Sequence, residues 1–209
     1  MREVFREQVK LEDGLVRFNR EAEGVVALSL FGARDCRAMV EAAKQHVTGW
    51  EIAKVGKRSP DGETRSVVDP DFRTASVLFP EHLPAICPEF DARMNRILKP
   101  LVAHLWGHRL TEHEGTQLVR YKTGGHYRAH SDVGRRTRNR YYTLICYLND
   151  DFTGGGTRFP ALGYAVTPSS GKAILFPAHY QHCGEPVTSG EKYILVSWIV
   201  GPVPDEAVA

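Results

Sequence analysis

The chain has 209 residues, 42% of them hydrophobic, enough to bury one sizeable core as a single domain. A formal net charge of +2 gives no strong electrostatic pull toward nucleic acid or an anionic membrane. Cys36, Cys87, Cys146 and Cys183 are widely spaced without a CxxC pair, which speaks against a disulfide framework and for free thiols in a reducing compartment. The opening MREVFREQVKLEDG is charged and lacks an apolar signal core, and no apolar run reaches the length of a membrane span. A cytoplasmic protein without membrane contact is the expectation.

From about Phe31 to Gly107 helical spacing dominates, so residues 1–110 read as a mainly helical support region. Met39, Val40, Ala43 and Val47 recur at helical spacing after Asp35, a candidate N-cap. Phe90, Met94, Ile97, Leu98, Leu101, Val102 and Leu105 form a longer stripe, with Pro100 inside it predicting a kink or break. Both stripes are expected to pack against a sheet. Between them, residues 56–71 are rich in Lys, Arg, Ser, Pro and Asp, and read either as a lid over a substrate or as an ordinary surface loop.

From Gln117 onward the texture becomes all-β. The runs QLVRY, RYYTLICYLN, AILF and KYILVSWIV are β-branched and aromatic. Turn chemistry separates them, including Thr123-Gly124-Gly125, Thr153-Gly154-Gly155-Gly156 and Thr188-Ser189-Gly190. About eight short strands over residues 117–201 predict a closed barrel or jelly roll, whose mouth can hold a ligand.

The chemistry concentrates at His130-Ser131-Asp132. A His and an Asp spaced i, i+2 on a strand face the same side of the sheet. With a second imidazole from a neighbouring strand, His179 or His182, they make the two-histidine, one-carboxylate facial triad that holds Fe(II) and leaves the opposite face open. Lys192 opens an otherwise apolar strand, and an inward-pointing ammonium there needs an anionic partner.

The segment from Tyr121 to Asp132 fits Y-x-x-G-x-x-Y-x-x-H-x-D, and that from His182 to Lys192 fits H-x-x-x-P-V-x-x-G-x-K. In this order they resemble the prolyl 4-hydroxylase branch of the 2-oxoglutarate/Fe(II)-dependent dioxygenases, over roughly Gln117 to Val200. The resemblance implies an α+β fold with a double-stranded β-helix (jelly roll) core and the N-terminal helices packed on one sheet. It selects His182 as the distal ligand beside His130 and Asp132. Lys192 would bind the far carboxylate of 2-oxoglutarate, helped by Tyr121 and Thr157, with Thr143 and Tyr147 as weaker candidates.

By the same resemblance Arg140 and Tyr127 belong to the substrate pocket, and Arg73-Thr74-Ala75-Ser76 matches loosely a segment beside it. The implied cofactors are Fe(II), 2-oxoglutarate as co-substrate and ascorbate (vitamin C), which keeps the iron ferrous in the family. The retained carboxylate of Asp132 argues against the related halogenases.

The implied reaction is hydroxylation of an unactivated C–H bond with O2, first of all on a prolyl residue of a peptide or protein. A free amino acid or small metabolite is the alternative substrate. Peptide-modifying members carry a histidine two residues after the matched Trp198, whereas this chain has Val200. An inactive binding or sensor module is a third reading, opposed by the complete triad. The run from Gly134 to Arg140 carries four arginines and raises nucleic-acid demethylation, which modest net charge and a lysine at 192 oppose, since nucleic-acid demethylases use arginine there.

Overall fold

The computed structural model describes residues 6–46 and 48–203. Residues 1–5 and Val47, used above for the amino-terminal start and the first apolar stripe, lie outside the described residues. Two antiparallel sheets face one another as a jelly roll. The larger runs, from edge to edge, through Glu7–Leu11, Gly14–Ala22, Val25–Ser29, Lys172–Pro177, Arg140–Tyr147, Lys192–Val200, Gln117–Tyr121, Ser76–Leu78 and Glu51–Ile52. Glu112–His113 joins the far end of Lys192–Val200. The smaller runs through Tyr164–Ala165, Thr157–Phe159, His182–Gly184, His126–His130 and Arg73–Thr74.

The strand runs read from sequence coincide closely with these elements, because their alternation serves two faces at once. Leu118, Leu144, Leu175 and Leu195 point away from the smaller sheet and pack with the helices. Their chain neighbours Val119, Ile145, Ile174 and Ile194 point between the sheets, against Phe159 and Phe176. A slip of one residue in any of these strands would exchange the two sets.

The helices behave as the apolar stripes predict. Ala33–Gln45 buries Cys36, Met39, Val40 and Ala43, and the second helical segment buries Phe90, Met94, Leu98, Leu101 and Val102, all on one face of the larger sheet. Asp35 is not the N-cap: Gly32 holds that position and Asp35 lies in the first turn, where its charge favours the helix dipole. Near Pro100 the helix neither breaks nor ends. Cys87–Arg93 passes through a π turn at Met94–Leu98 into Lys99–Trp106, and the wider turn absorbs the hydrogen bond that Pro100 cannot donate.

Residues 1–110 are not mainly helical. Glu7–Leu11, Gly14–Ala22 and Val25–Ser29 are strands that extend the larger sheet by pairing onto Lys172–Pro177. The polar stretch at 56–71 is largely a hairpin of Val55–Arg58 with Thr64–Val67, not an open loop. Lys57 fastens it to Asp69 at 2.6 Å, and Arg135 Nη1 donates to the Gly62 carbonyl at its tip (3.1 Å). Among the described residues no helix is long and apolar enough to cross a membrane, and the four cysteines are free thiols.

Candidate active site

His130 closes the strand His126–His130, and His182 opens His182–Gly184 directly across from it. A register irregularity between Tyr127 and His130 brings the two histidines opposite each other, with ring centroids 4.3 Å apart. Asp132 lies just beyond the strand, its backbone N–H fixed on the Ala178 carbonyl at 3.0 Å and its own carbonyl accepting from Thr137 Oγ1 at 2.8 Å. Ligand atoms of the three residues lie within 4.8 Å of one another, and among the described residues no other His, Cys, Asp or Glu group clusters in this way.

The donor atoms are prepared for a metal. His130 Nδ1–H donates to the Arg128 carbonyl (2.8 Å) and His182 Nδ1–H to the Tyr180 carbonyl (3.0 Å). A carbonyl only accepts, so both Nε2 atoms carry lone pairs. These Nε2 atoms stand 3.6 Å from Asp132 Oδ1 and Oδ2 respectively. Adjacent ligands of one octahedral ion lie about 3 Å apart for bonds of about 2.1 Å, so the set is close to coordinating geometry.

Burial pushes the His182 imidazole down to about 4, only partly offset by Asp132, and keeps it neutral near pH 7. Burial opposes ionisation of Asp132 too. The adjoining His130 and His182 imidazoles and the Thr143 hydroxyl prevail, and hold the carboxyl well below its usual range. Thr143 Oγ1 donates to Asp132 Oδ2 at 2.6 Å, which orients the carboxylate from the larger sheet. Tyr127 stacks on His130, centroids 3.5 Å apart and planes 19° off parallel, and burial raises its phenol to about 12.

Deeper between the sheets, Lys192 is 1% exposed. Its Nζ donates to the Gly155 carbonyl at 2.7 Å and sits 4.2 Å from the Tyr121 ring centroid. An ammonium has three donors, and among the described residues no carboxylate pairs with this one. The Gly154-Gly155 turn that presents the carbonyl admits no side chain at Gly154: φ is +71° and a Cβ would lie 2.3 Å from the Pro186 carbonyl oxygen. Thr157 and Tyr121 line the same cavity of about 190 Å³ as His130, Asp132, His182 and Lys192. The Thr157 hydroxyl is engaged by Tyr147 Oη at 2.6 Å. Burial drives Lys192 down to about 7, with Arg73 adding to the fall and Cys183 and Glu185 opposing it.

At the rim Arg140 forms a two-pronged ion pair with Glu114, Nε to Oε1 at 2.7 Å and Nη2 to Oε2 at 2.5 Å. Its guanidinium lies 3.6 Å above the centroid of Trp198. Glu114 is itself anchored: its N–H donates to the Trp198 carbonyl (2.9 Å) and its carbonyl accepts from Ser197 Oγ (2.7 Å). Arg73 lies 4.5 Å from the centroid of the other face group, Tyr127.

The structure therefore brings His130, Asp132, His182, Lys192, Tyr121, Thr157, Tyr127 and Arg140 around one cavity. His179 is exposed and stacks edge-on with Tyr180, apart from the triad. Sequence reasoning missed Glu114, whose partner is 26 residues away and which no motif marks. Thr143, a weaker candidate for the co-substrate, lines the cavity and donates its hydroxyl to Asp132.

A jelly roll with two imidazoles and a carboxylate at its mouth, and an unpaired ammonium below them, fits a divalent metal together with a dicarboxylate. Residues 116–200 match the family described as the 2OG-Fe(II) oxygenase superfamily. Over these residues the chain is similar to 2OG-Fe(II) oxygenases, and among them to prolyl 4-hydroxylases. The chain is 32% identical over 117 residues to prolyl 4-hydroxylase subunit alpha-1 of Gallus gallus, covering 47% of this chain and 23% of that subunit. It thus spans less than a quarter of that relative's length. A prolyl-4-hydroxylase from Pseudomonas putida shares the fold, with a TM-score of 0.66 and 22% identity over 85% of this chain and 93% of that one. So does a prolyl hydroxylase from Trichoplax adhaerens, solved in complex with a hypoxia inducible factor peptide fragment, with a TM-score of 0.60 and 15% identity over 85% and 83%.

Proposed function

We propose that the protein is a 2-oxoglutarate- and Fe(II)-dependent dioxygenase that hydroxylates an unactivated C–H bond, on a prolyl residue of a peptide or protein. The observation that carries this reading is the shared cavity: three metal-binding side chains and the unpaired Lys192 ammonium open onto the same space. Bound Fe(II) and 2-oxoglutarate supply the activation of O2, with 2-oxoglutarate, O2 and substrate C–H giving succinate, CO2 and alcohol.

The chain's own residues hold this chemistry in place. His130, Asp132 and His182 offer one face of donors and leave the rest to co-substrate and O2. Lys192 provides the charge that a distal carboxylate needs, in a site too dry to screen it. Thr143 and the two backbone carbonyls fix the ligand orientations. Arg140, immobilised by Glu114 and Trp198, presents its remaining donors at the rim where a substrate must pass.

A free amino acid or small metabolite is a second reading. Val200 favours it, for it stands buried where peptide-modifying relatives have a histidine. Succinate release with Fe(II) and 2-oxoglutarate tests the enzyme class. A mass gain of 16 Da, on the order of one oxygen atom, on a prolyl peptide but not on free proline or other amino acids supports the first reading. A gain only on a free amino acid transfers the assignment to the second, and no succinate with any substrate refutes both.

A further inference from the structure

A second opening, about 500 Å³, meets the catalytic cavity at Tyr127, His130, Asp132 and Arg140. It runs between the 55–67 hairpin and the arginine-rich loop that follows Asp132. Thr64 and Ser66 give it a polar wall on the hairpin side, Phe72 an apolar one, and Arg135 and Arg136 line the loop side. The charges do not balance. Arg140 is already neutralised by Glu114, and Asp132, the acid in the lining, belongs to the metal. Arg135 spends one hydrogen bond on the neutral Gly62 carbonyl, and Arg136 has no hydrogen bond or ion pair among the described residues. Two cations therefore face the groove without a counter-charge.

We infer that this groove recognises acidic side chains flanking the target residue of a peptide substrate. The inference rests on the peptide-hydroxylase reading above and deepens it. The target residue must enter the inner cavity to reach the metal, so its neighbours in an extended chain, about 3.3 Å apart, fall within the groove. Carboxylates there meet Arg135 and Arg136, while Phe72 packs against the intervening side chain. A nucleic-acid backbone fits the same surface poorly. A formal net charge of +2 supplies little field to hold a long phosphate backbone, and two arginines beside one groove match a pair of carboxylates better than a run of phosphates.

The test is binding, measured apart from turnover. Two fluorescent prolyl peptides, identical except for Glu or Gln on both sides of the proline, are titrated by anisotropy against protein with Mn(II) and 2-oxoglutarate under argon. The Glu peptide binds about 5-fold more tightly at about 50 mM NaCl, the effect of two exposed charge pairs, and the preference fades at about 0.5 M. In the R135Q/R136Q variant the preference vanishes while 2-oxoglutarate binding stays as in wild type. Equal affinities in wild type, a preference that survives R135Q/R136Q, or an oligo(dT) that displaces the Glu peptide and binds tighter would each overturn the inference. Succinate release reads the enzyme assignment separately. Discrimination without turnover upholds the groove and refutes the enzyme, and turnover stimulated equally by both peptides does the reverse.

Discussion

Lys192 makes the ligand-free protein less stable than it could be, and the size of that effect follows from its surroundings. Its side chain is 1% exposed, with one carbonyl and one aromatic face for company. Its pKa falls from 10.5 to about 7, mainly through burial. At about 1.4 kcal/mol per pH unit, the protonated form costs the fold about 5 kcal/mol. The sign is set by proton counting. Between about pH 7 and 10.5 the unfolded chain holds a proton on Lys192 that the folded chain lacks, so stability rises with pH across that window. Below pH 7 both states are protonated and the full cost is present.

Lys192→Met keeps the volume and removes the charge, so it should raise the unfolding free energy of the ligand-free protein at pH 6 by several kcal/mol, with the gain shrinking toward pH 10. Urea unfolding of the two proteins at matched pH measures this difference. A distal carboxylate of 2-oxoglutarate restores the ammonium, so binding near pH 8.5 should take up close to one proton. Calorimetry in two buffers of different ionisation heat reads that uptake, and Lys192→Met abolishes it with at least about 10-fold weaker binding. A stability difference that does not vary with pH, together with no proton uptake, would refute the reasoning.

Removal of either end of the metal set should be more severe. His130→Ala or Asp132→Ala should abolish succinate release and metal-dependent thermal stabilisation, and full activity in either variant contradicts the ligand assignment. Thr143→Val removes the hydroxyl from Asp132 while conserving shape, and should weaken Mn(II) binding about 10- to 100-fold by calorimetry. Arg140→Ala should raise the substrate KM and uncouple succinate release from substrate oxidation, with 2-oxoglutarate affinity preserved. Glu114→Gln should move the same quantities in the same direction by less, since it loosens Arg140 without deleting it; an effect on 2-oxoglutarate binding alone would show that the pair serves another purpose.

The parts of the fold legible in the sequence are those where one residue's neighbours in the chain decide its environment. QLVRY and KYILVSWIV are dense in β-branched and aromatic residues, and both occupy the strand limits they announce. The first two amino-terminal strands were obscured because they lie at one edge of the larger sheet and mix charged residues with few apolar ones, as in EQVKL and GLVRFNREA, whereas the apolar run VVALS was passed over. The hairpin at 55–67 was hidden for the same reason, with polar residues dominating both its strands. The clustering of His130, Asp132 and His182 was legible because a facial triad demands particular residue types at particular spacings. Glu114 was not, since an ion pair closed across 26 residues leaves no local trace.

The strand Lys192–Val200 shows how tightly site and core are joined. Lys192, Ile194, Val196 and Trp198 line the catalytic cavity, while Tyr193, Leu195 and Ile199 between them belong to the core under the helices. Both alternations use the same register, set by pairing with Arg140–Tyr147 on one side and Gln117–Tyr121 on the other. Sliding the strand by one residue would drive an ammonium into the apolar layer against the helices and turn Tyr193 toward the metal. The cost of that misplacement protects the register, so the buried charge also helps specify the fold that holds it. Stability sacrificed by burying Lys192 and specificity gained from it are two consequences of one placement.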